Sequence, residues 1–370
     1  MLKLYRLAKF CQCALLLLLT STTYASVDKT ITSWMAKNQI PGAAVLIYDH
    51  GKPHSYYFGY AEKKHKIPVN KNTIFEIASF TKIFTSILLA EEINARKMHL
   101  DDSIEKYLPN LLNDKMKDIT LIDLATHTSG FALNVPNELR TNDELKNYFD
   151  QWRPEFTVGT KWQYSNINFG LIGFALEKVT NKPIAQLYQA QLFSPLGMKD
   201  IGLEVKNLKN YAQGYSDDKA VPHSRVGFFP AAAALKATGA DMLIFLKTTL
   251  ALPGTPTNII DAVHLTETPF VSTSEFNQGM GWVIYPEPYK NKDKLLNPSD
   301  KMVELTAKPI DKDQQKFDGN SLMDKTGTAK GFRAYIAIIP NKKSGIIILT
   351  NRYVQNSKII KVAREILFTL

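Results

Sequence analysis

Both ends of the chain carry the same signature, and that symmetry restricts the folds open to it. Near the start, "AAVLIYD" (43–49) is a continuous apolar run, "HGKP" a turn and "HSYYFGYA" (54–61) a second strand. At the far end, "FRAYIAII" (332–339), the turn "PNKKSG" and "IIILTN" (346–351) repeat the arrangement. A helical pattern flanks each hairpin. "DKTITSWMAKNQI" places Ile31, Trp34 and Met35 on one side, and "SKIIKVAREILFTL" does the same with Ile359, Ile360, Val362, Ile366 and Leu367. These features predict an α/β (α+β) fold in which one antiparallel sheet, built from both chain ends, is flanked by helices. The middle is then an insertion, and its patterns are helical: "IFTSILLAEEINARK", "TLIDLATH", "NDELKNYFDQW", "NFGLIGFALEKVT" and "IAQLYQAQLF". The expected boundaries are an α/β part at about 26–82 and 200–370 and a helical part at about 83–199.

The first residues read as a secretory leader. "MLKLYRLAKF" is basic, "ALLLLLT" is apolar and "STTYAS" offers small residues with a cut after Ala25. That apolar core is well short of the roughly 20 residues that span a bilayer. Lys3, Arg6 and Lys9 also inflate the formal charge of +10. Cys11 and Cys13 are the only cysteines, so residues 26–370 hold none. Disulfides, thiolate metal sites and a cysteine nucleophile are thereby excluded from the mature part. The remaining lysines are scattered, without an arginine cluster or aromatic stripe, which argues against nucleic-acid binding.

"FEIASFTKIFTSILLAEEINARK" (75–97) contains Ser79 and Lys82, three apart, at the start of a segment apolar on nearly every side. Such a helix is buried. Residues i and i+3 share a face, so Lys82 lies one turn beyond Ser79. A helix start offers unpaired N–H groups, and desolvation makes a lysine easier to deprotonate. Together these give a route to an activated serine without histidine. A capping serine followed by a lysine reaching for solvent fits the same pattern. The spacing recurs by chance about once in a chain this long, and "SDDK" at 216–219 is a second match, in a polar stretch. Further along stand "YSN" (164–166), in a loop before a helix, and "KTG" (325–327), just before the strand "FRAYIAII". A glycine there lets another backbone approach a strand edge.

Ser79-x-x-Lys82, Tyr164-x-Asn166 and Lys325-Thr326-Gly327, in that order, resemble the motif set of penicillin-recognising serine hydrolases. The tyrosine in the middle motif and the wide gaps are similar to class C β-lactamases. "IPGAAV", "LATHTSG", "GTKWQYSN", "SPLGM", "QGMGW" and "LTNR" extend the resemblance from about Ile40 to the C-terminus. The resemblance implies the β-lactamase/transpeptidase-like fold and a β-lactam amide hydrolysed through a Ser79 acyl-enzyme, with cephalosporins and penicillins as substrates. It implies that Lys82 and Tyr164 share the serine proton, with the choice of base open. It assigns an oxyanion hole to the N–H groups of Ser79 and Thr328, the substrate's amide side chain to Asn166 and Asn134, and the Lys82 ammonium to Asn166 as well. Lys325 joins the catalytic group by lending positive charge to Tyr164, and with Thr326 and Asn356 it meets the substrate carboxylate. Gly327 belongs to the same strand-edge binding segment. Such a protein is a periplasmic monomer without cofactor or metal, and is not held at the membrane once its leader is removed.

The pattern is broken in three places. "AAAAL" (231–235) stands where the family has a tyrosine, Ile359 replaces an arginine, and the loop after "HTSG" is one residue short. The resemblance leaves open a D-alanyl-D-alanine peptidase, a short-chain esterase or a sensor that is acylated without turnover. His50, His54, His65, His99, His127, His223 and His264 show no metal-ligand spacing. His127, in "THTSG", reads as structural, because Ser129 beside it has no nucleophile context.

Overall fold

The computed structural model describes residues 26–111, 113–225, 227–289, 292–298, 307–311 and 316–370. The expected leader, with Cys11 and Cys13, lies outside them. A first unit ends at Ile40 and contains a helix over residues 26–37, with Ile31 and Met35 buried and Trp34 half-buried.

The second unit, Pro41–Leu370, is organised on a nine-stranded sheet. In chain order its strands are β1 (Gly42–Asp49), β2 (Lys52–Glu62), β3 (Ile67–Pro68), β4 (Val271–Ser272), β5 (Asn277–Gln278), β6 (Val283–Tyr285), β7 (Leu322–Ala329), β8 (Phe332–Ile339) and β9 (Ser344–Thr350). The spatial order is β3-β2-β1-β9-β8-β7-β6-β5-β4. The two ends of this unit therefore meet at the β1–β9 seam, where Ala43 pairs with Thr350 and Tyr48 with Gly345, antiparallel. The first hairpin turns on His50 and Gly51, at φ 47° and 83°. Two positive φ values match the right-handed twist of the strands, and glycine takes the second without strain. The expected fold class is thus borne out, and so is its construction from both ends.

Helices cover both faces. The helices of this unit include α1 (Thr81–Asn94), α2 (Leu121–Ala125), α3 (Asn142–Gln151), α4 (Asn166–Thr180), α5 (Gly239–Thr249), α6 (Thr257–Thr266) and α7 (Asn356–Leu367), of which α5 and α7 lie against the sheet. On one face Leu46, Ile336, Ile347 and Leu349 join a core with Phe80, Phe84 and Phe245. The Phe84 and Phe245 rings stack at 4.0 Å between centroids. α1 is buried from Thr81 to Ala90, as an all-round apolar helix must be. Alternate residues such as Tyr335 and Ile348 point to the other face, which α7 covers. Among the described residues no helix is long and apolar enough to cross a membrane.

The segment holding "KTG" is itself a strand, β7, rather than the lead-in to one. "LMDKTGTA" has no apolar alternation to announce it; it becomes a strand because β8 pairs with it from Met323↔Ile338 to Ala329↔Phe332. α7 fits this strand in register. Four helix residues rise about 6 Å and two strand residues about 6.6 Å, so Asn356, Ile360 and Arg364 keep step with Thr328, Thr326 and Asp324. The outer contacts are polar. Thr328 Oγ1 donates to Asn356 Oδ1 at 3.3 Å, and the buried Arg364 guanidinium pairs with Asp324. Tyr335 Oη donates to the same carboxylate at 2.6 Å.

Removing one partner of a buried pair strands the other charge. Asp324→Ala is expected to lower stability by about 3–5 kcal/mol. Denaturant unfolding measures it, and a loss under about 1 kcal/mol, typical of exposed pairs, would show that Arg364 finds other compensation.

Candidate active site

Ser79 lies in a single 3-10 turn, Ala78–Phe80, that runs directly into α1. It is half-buried while its neighbours on both sides are buried, so the hydroxyl is the one side chain of that turn that reaches open space. The turn begins with a non-glycine residue at positive φ, Ala78 at 47°. Surrounding structure must hold such a conformation. Thr81 Oγ1 does so by donating to Ala78 O at 2.7 Å while accepting from the Leu235 N–H at 3.1 Å.

Lys82, one turn further on, is fully buried, and each of its three donors has an acceptor. Nζ reaches Ser79 Oγ at 3.2 Å, Asn166 Oδ1 at 2.6 Å and Ala232 O at 2.8 Å. Burial is the main force bringing its pKa down to about 8, and Lys325 adds to it while Tyr164 opposes it. Tyr164 is its complement. Burial alone pushes a phenol up, but the charges of Lys325 and Lys82 bring this one down to about 7. The two ammonium groups each lie 5.0 Å from the centroid of the Tyr164 ring. Tyr164 Oη is buried facing Ser79 and Lys82, whose side chains also favour its charged form.

The tyrosine loop is anchored on both sides. Ser165 caps α4, with Oγ accepting from the Ile167 N–H at 3.1 Å and donating to Ala132 O at 2.6 Å. The Asn166 N–H donates to Leu133 O at 2.7 Å, and Asn166 Nδ2 to Asn134 Oδ1 at 2.7 Å. Lys82, Asn166 and Asn134 thus form one chain of polar contacts leading from Ser79 to solvent.

β7 supplies the opposite wall. β6 pairs with it only as far as Asp324, so from Lys325 to Ala329 that edge has no strand partner among the described residues. Gly327 passes so close to the serine turn that a Cβ would stand 2.1 Å from Ile77 O. Ser79, Tyr164, Asn166, Lys325, Thr326, Thr328 and Asn356 line one cavity of about 340 Å3. Asn134 joins through Asn166, and Gly327 through its backbone. The second S-x-x-K match, Ser216 and Lys219, is instead a register pair across a tight hairpin whose turn residues, Asp217 and Asp218, have positive φ.

A sequence profile described as Beta-lactamase matches residues 27–369. The chain belongs to the beta-lactamase family. Among its relatives, the Beta-lactamase of Escherichia coli (strain K12) is 32% identical, over 97% of this chain and 98% of its own. A class C beta-lactamase solved in complex with cefoxitin superposes with a TM-score of 0.88 at 30% identity, covering 95% of this chain and 99% of that one. The Beta-Lactamase/D-Alanine Carboxypeptidase from Pseudomonas syringae gives 0.88 at 29% identity, covering 94% and 99%. The class C resemblance carried by the motifs is borne out.

Three further residues complete this beta-lactamase-family site, and the sequence assigned a site role to none of them. Ala232 acts through its carbonyl, which no residue identity announces. His127 packs its ring 4.4 Å from that of Tyr164 and accepts the Ser165 N–H at Nδ1, at 3.2 Å. Burial, with Lys82 and Lys325 nearby, holds it well below the usual imidazole value and therefore neutral, which fits the structural reading. Trp162 packs edge-to-face on Phe276 at 5.1 Å, closing the floor of the cavity from a residue more than a hundred positions away.

Proposed function

We propose that the protein hydrolyses β-lactam amides through an acyl-enzyme on Ser79. Ser79 Oγ attacks the ring carbonyl carbon, and its proton passes to the Lys82–Tyr164 pair. The backbone N–H groups of Ser79 and Thr328 hold the oxyanion, each such donor contributing about 2.7–4 kcal/mol in the transition state. The C–N bond then breaks and the leaving nitrogen takes the proton back from the pair. Water attacks the ester in the second half, giving its proton to the same pair, which returns one to Ser79 Oγ. Asn166 and Asn134 bind the acyl side chain, and Lys325, Thr326 and Asn356 the carboxylate. The observation that carries this reading is the bond from Lys82 Nζ to Ser79 Oγ, made by a lysine whose other two donors are already engaged.

The reaction runs in the periplasm, on a monomer freed of residues 1–25, with penicillins and cephalosporins as substrates and no nucleic-acid partner. The D-alanine carboxypeptidase activity in the name of the Pseudomonas syringae relative supports a second reading, cleavage of D-alanyl-D-alanine peptides at the same serine. One experiment separates them. The mature protein is given a chromogenic cephalosporin, a D-Ala-D-Ala peptide and a short ester, while mass spectrometry follows the acyl-enzyme. Steady cephalosporin turnover is expected; a persistent adduct without turnover, or turnover of the peptide alone, overturns the first reading.

The strand edge is open to a direct check. Gly327→Ala forces β7 away from Ile77, and a misplacement of about 1 Å at a reacting centre costs roughly 100-fold. Its kcat/KM is expected to fall by about that factor. Unimpaired hydrolysis in a folded variant would show that the close approach is dispensable.

A further inference from the structure

The end of α2 is closed by a histidine where a glycine would serve. The Thr128 N–H donates to Asp123 O at 2.8 Å and the His127 N–H to Leu124 O at 3.3 Å. These are the paired bonds that finish a helix when the residue after its cap turns left-handed. That residue is His127, at φ 62°. Glycine takes this conformation freely, whereas a residue with a Cβ is strained in it. The turn gains nothing from histidine, so what this position contributes is the imidazole.

The imidazole and the backbone beside it act on the loop that carries Tyr164. Thr128 O accepts the Gly159 N–H at 2.8 Å, where that loop begins, and His127 O accepts the Gln163 N–H at 2.8 Å. His127 Nδ1 accepts the Ser165 N–H at 3.2 Å. The residues on either side of Tyr164 are therefore bound to one histidine. Between those two bonds the rings meet, with centroids 4.4 Å apart. Phe169 and Trp162 flank the imidazole at 5.4 Å and 6.2 Å, and it is buried. Asn168 Nδ2 lies 3.4 Å from Nδ1, and Asn168 Oδ1 is taken by the Ser129 hydroxyl at 2.6 Å, which turns the amide's N–H side to the ring. Two donors at Nδ1 leave the ring proton on Nε2.

The chemistry of Tyr164 depends on where its ring stands. Burial raises its pKa, and Lys325 and Lys82, each 5.0 Å from the ring centroid, bring it down to about 7. That attraction weakens with distance, so a ring that drifts from either ammonium holds its proton more tightly.

We infer that His127 is a positioning residue for Tyr164. Its left-handed backbone and its Nδ1 hold the residues on both sides of the tyrosine, and its ring sets where the phenol meets Ser79 and Lys82. The inference rests on the proton role proposed for Tyr164, and it gives His127 no proton to transfer.

His127→Gly tests it, because glycine keeps the turn and removes only the imidazole. A misplacement of about 1 Å at a reacting centre costs roughly 100-fold, so kcat is expected to fall by about that factor. KM should stay within about threefold, since Lys325, Thr326 and Asn356 are untouched. The ionisation of Tyr164 is read without substrate, as tyrosinate absorbance by difference from the Tyr164→Phe protein. In the glycine variant it should move upward from about 7, by about one pH unit. His127→Asn tolerates the left-handed turn and offers an amide oxygen to the Ser165 N–H, so it should recover about tenfold in kcat. Wild-type kcat with an unmoved titration in folded His127→Gly overturns the inference. So does a fall in kcat with the titration unmoved, which a merely structural role would produce. An asparagine variant no faster than the glycine variant overturns the share given to the Nδ1 bond. Where the glycine variant does not fold, the titration is read in His127→Asn, and the absence of any upward movement there overturns the inference. A wild type that hydrolyses no β-lactam, with the titration moving as expected, overturns the hydrolysis and leaves the positioning role standing.

Discussion

Ser79→Ala is expected to lower β-lactam turnover by about 10^6-fold, the scale of losing a nucleophile whose partners act as a unit. The hydroxyl is the side chain of its turn that reaches the cavity, and Lys82 Nζ is held against it at 3.2 Å. Little else depends on it. The turn is held by Thr81 and Leu235, and Lys82 keeps Asn166 and Ala232 as acceptors. The variant should therefore fold, bind substrate and form no covalent adduct. Mass spectrometry and steady-state kinetics read the result together. A rate within about tenfold of wild type would move the nucleophile elsewhere.

Tyr164→Phe is the second large effect, an expected fall in kcat of about 10^3-fold, within the range for removing a general acid–base group. Its distinguishing mark is the pH profile. With Tyr164 at about 7 and Lys82 at about 8, the pair holds two protons below this window and none above it. Both proton acceptance from Ser79 and donation to the leaving nitrogen need the state with one shared proton, whichever atom carries it. Wild-type kcat/KM should therefore rise through about 7 and fall beyond about 8. In the variant the acid limb set by Tyr164 disappears. The lysine also loses the partner that raises its pKa, so its titration moves toward lower pH. Wild-type rates, or an unchanged bell, would remove Tyr164 from the proton path. Thermal unfolding of the variant should change little, because Lys82 keeps Ser79, Asn166 and Ala232 as acceptors.

Much of this molecule was legible before its fold was known, and the reason is locality. Continuous apolar runs around "HGKP" and "PNKKSG" specify two hairpins, because strand, turn and strand are neighbours in the chain. Three-residue spacing on one helix brings Lys82 to Ser79, whatever the rest of the protein does. The motif order then proposes Tyr164, Asn166 and Lys325 as companions, and all three line the same cavity. Local spacing alone could not separate "SFTK" from "SDDK". What separates them is that one begins a buried helix and the other closes an exposed hairpin.

Other features exist only through contacts between distant segments. β7 is a strand because β8 pairs with it, since its own polar residues have no strand pattern. Lys82 loses its proton more readily because the fold buries it and brings the charge of Lys325 near it. The Asp324–Arg364 pair and the Trp162–Phe276 contact join positions 40 and more than a hundred apart. Sequence by itself determined the sheet built from two ends and the chemistry available at Ser79, because periodicity and short spacings are local. Tertiary structure alone decided the proton affinities of that chemistry and the shape of the wall beside it. Both depend on desolvation and packing, which a residue acquires only from the neighbours that the fold brings to it.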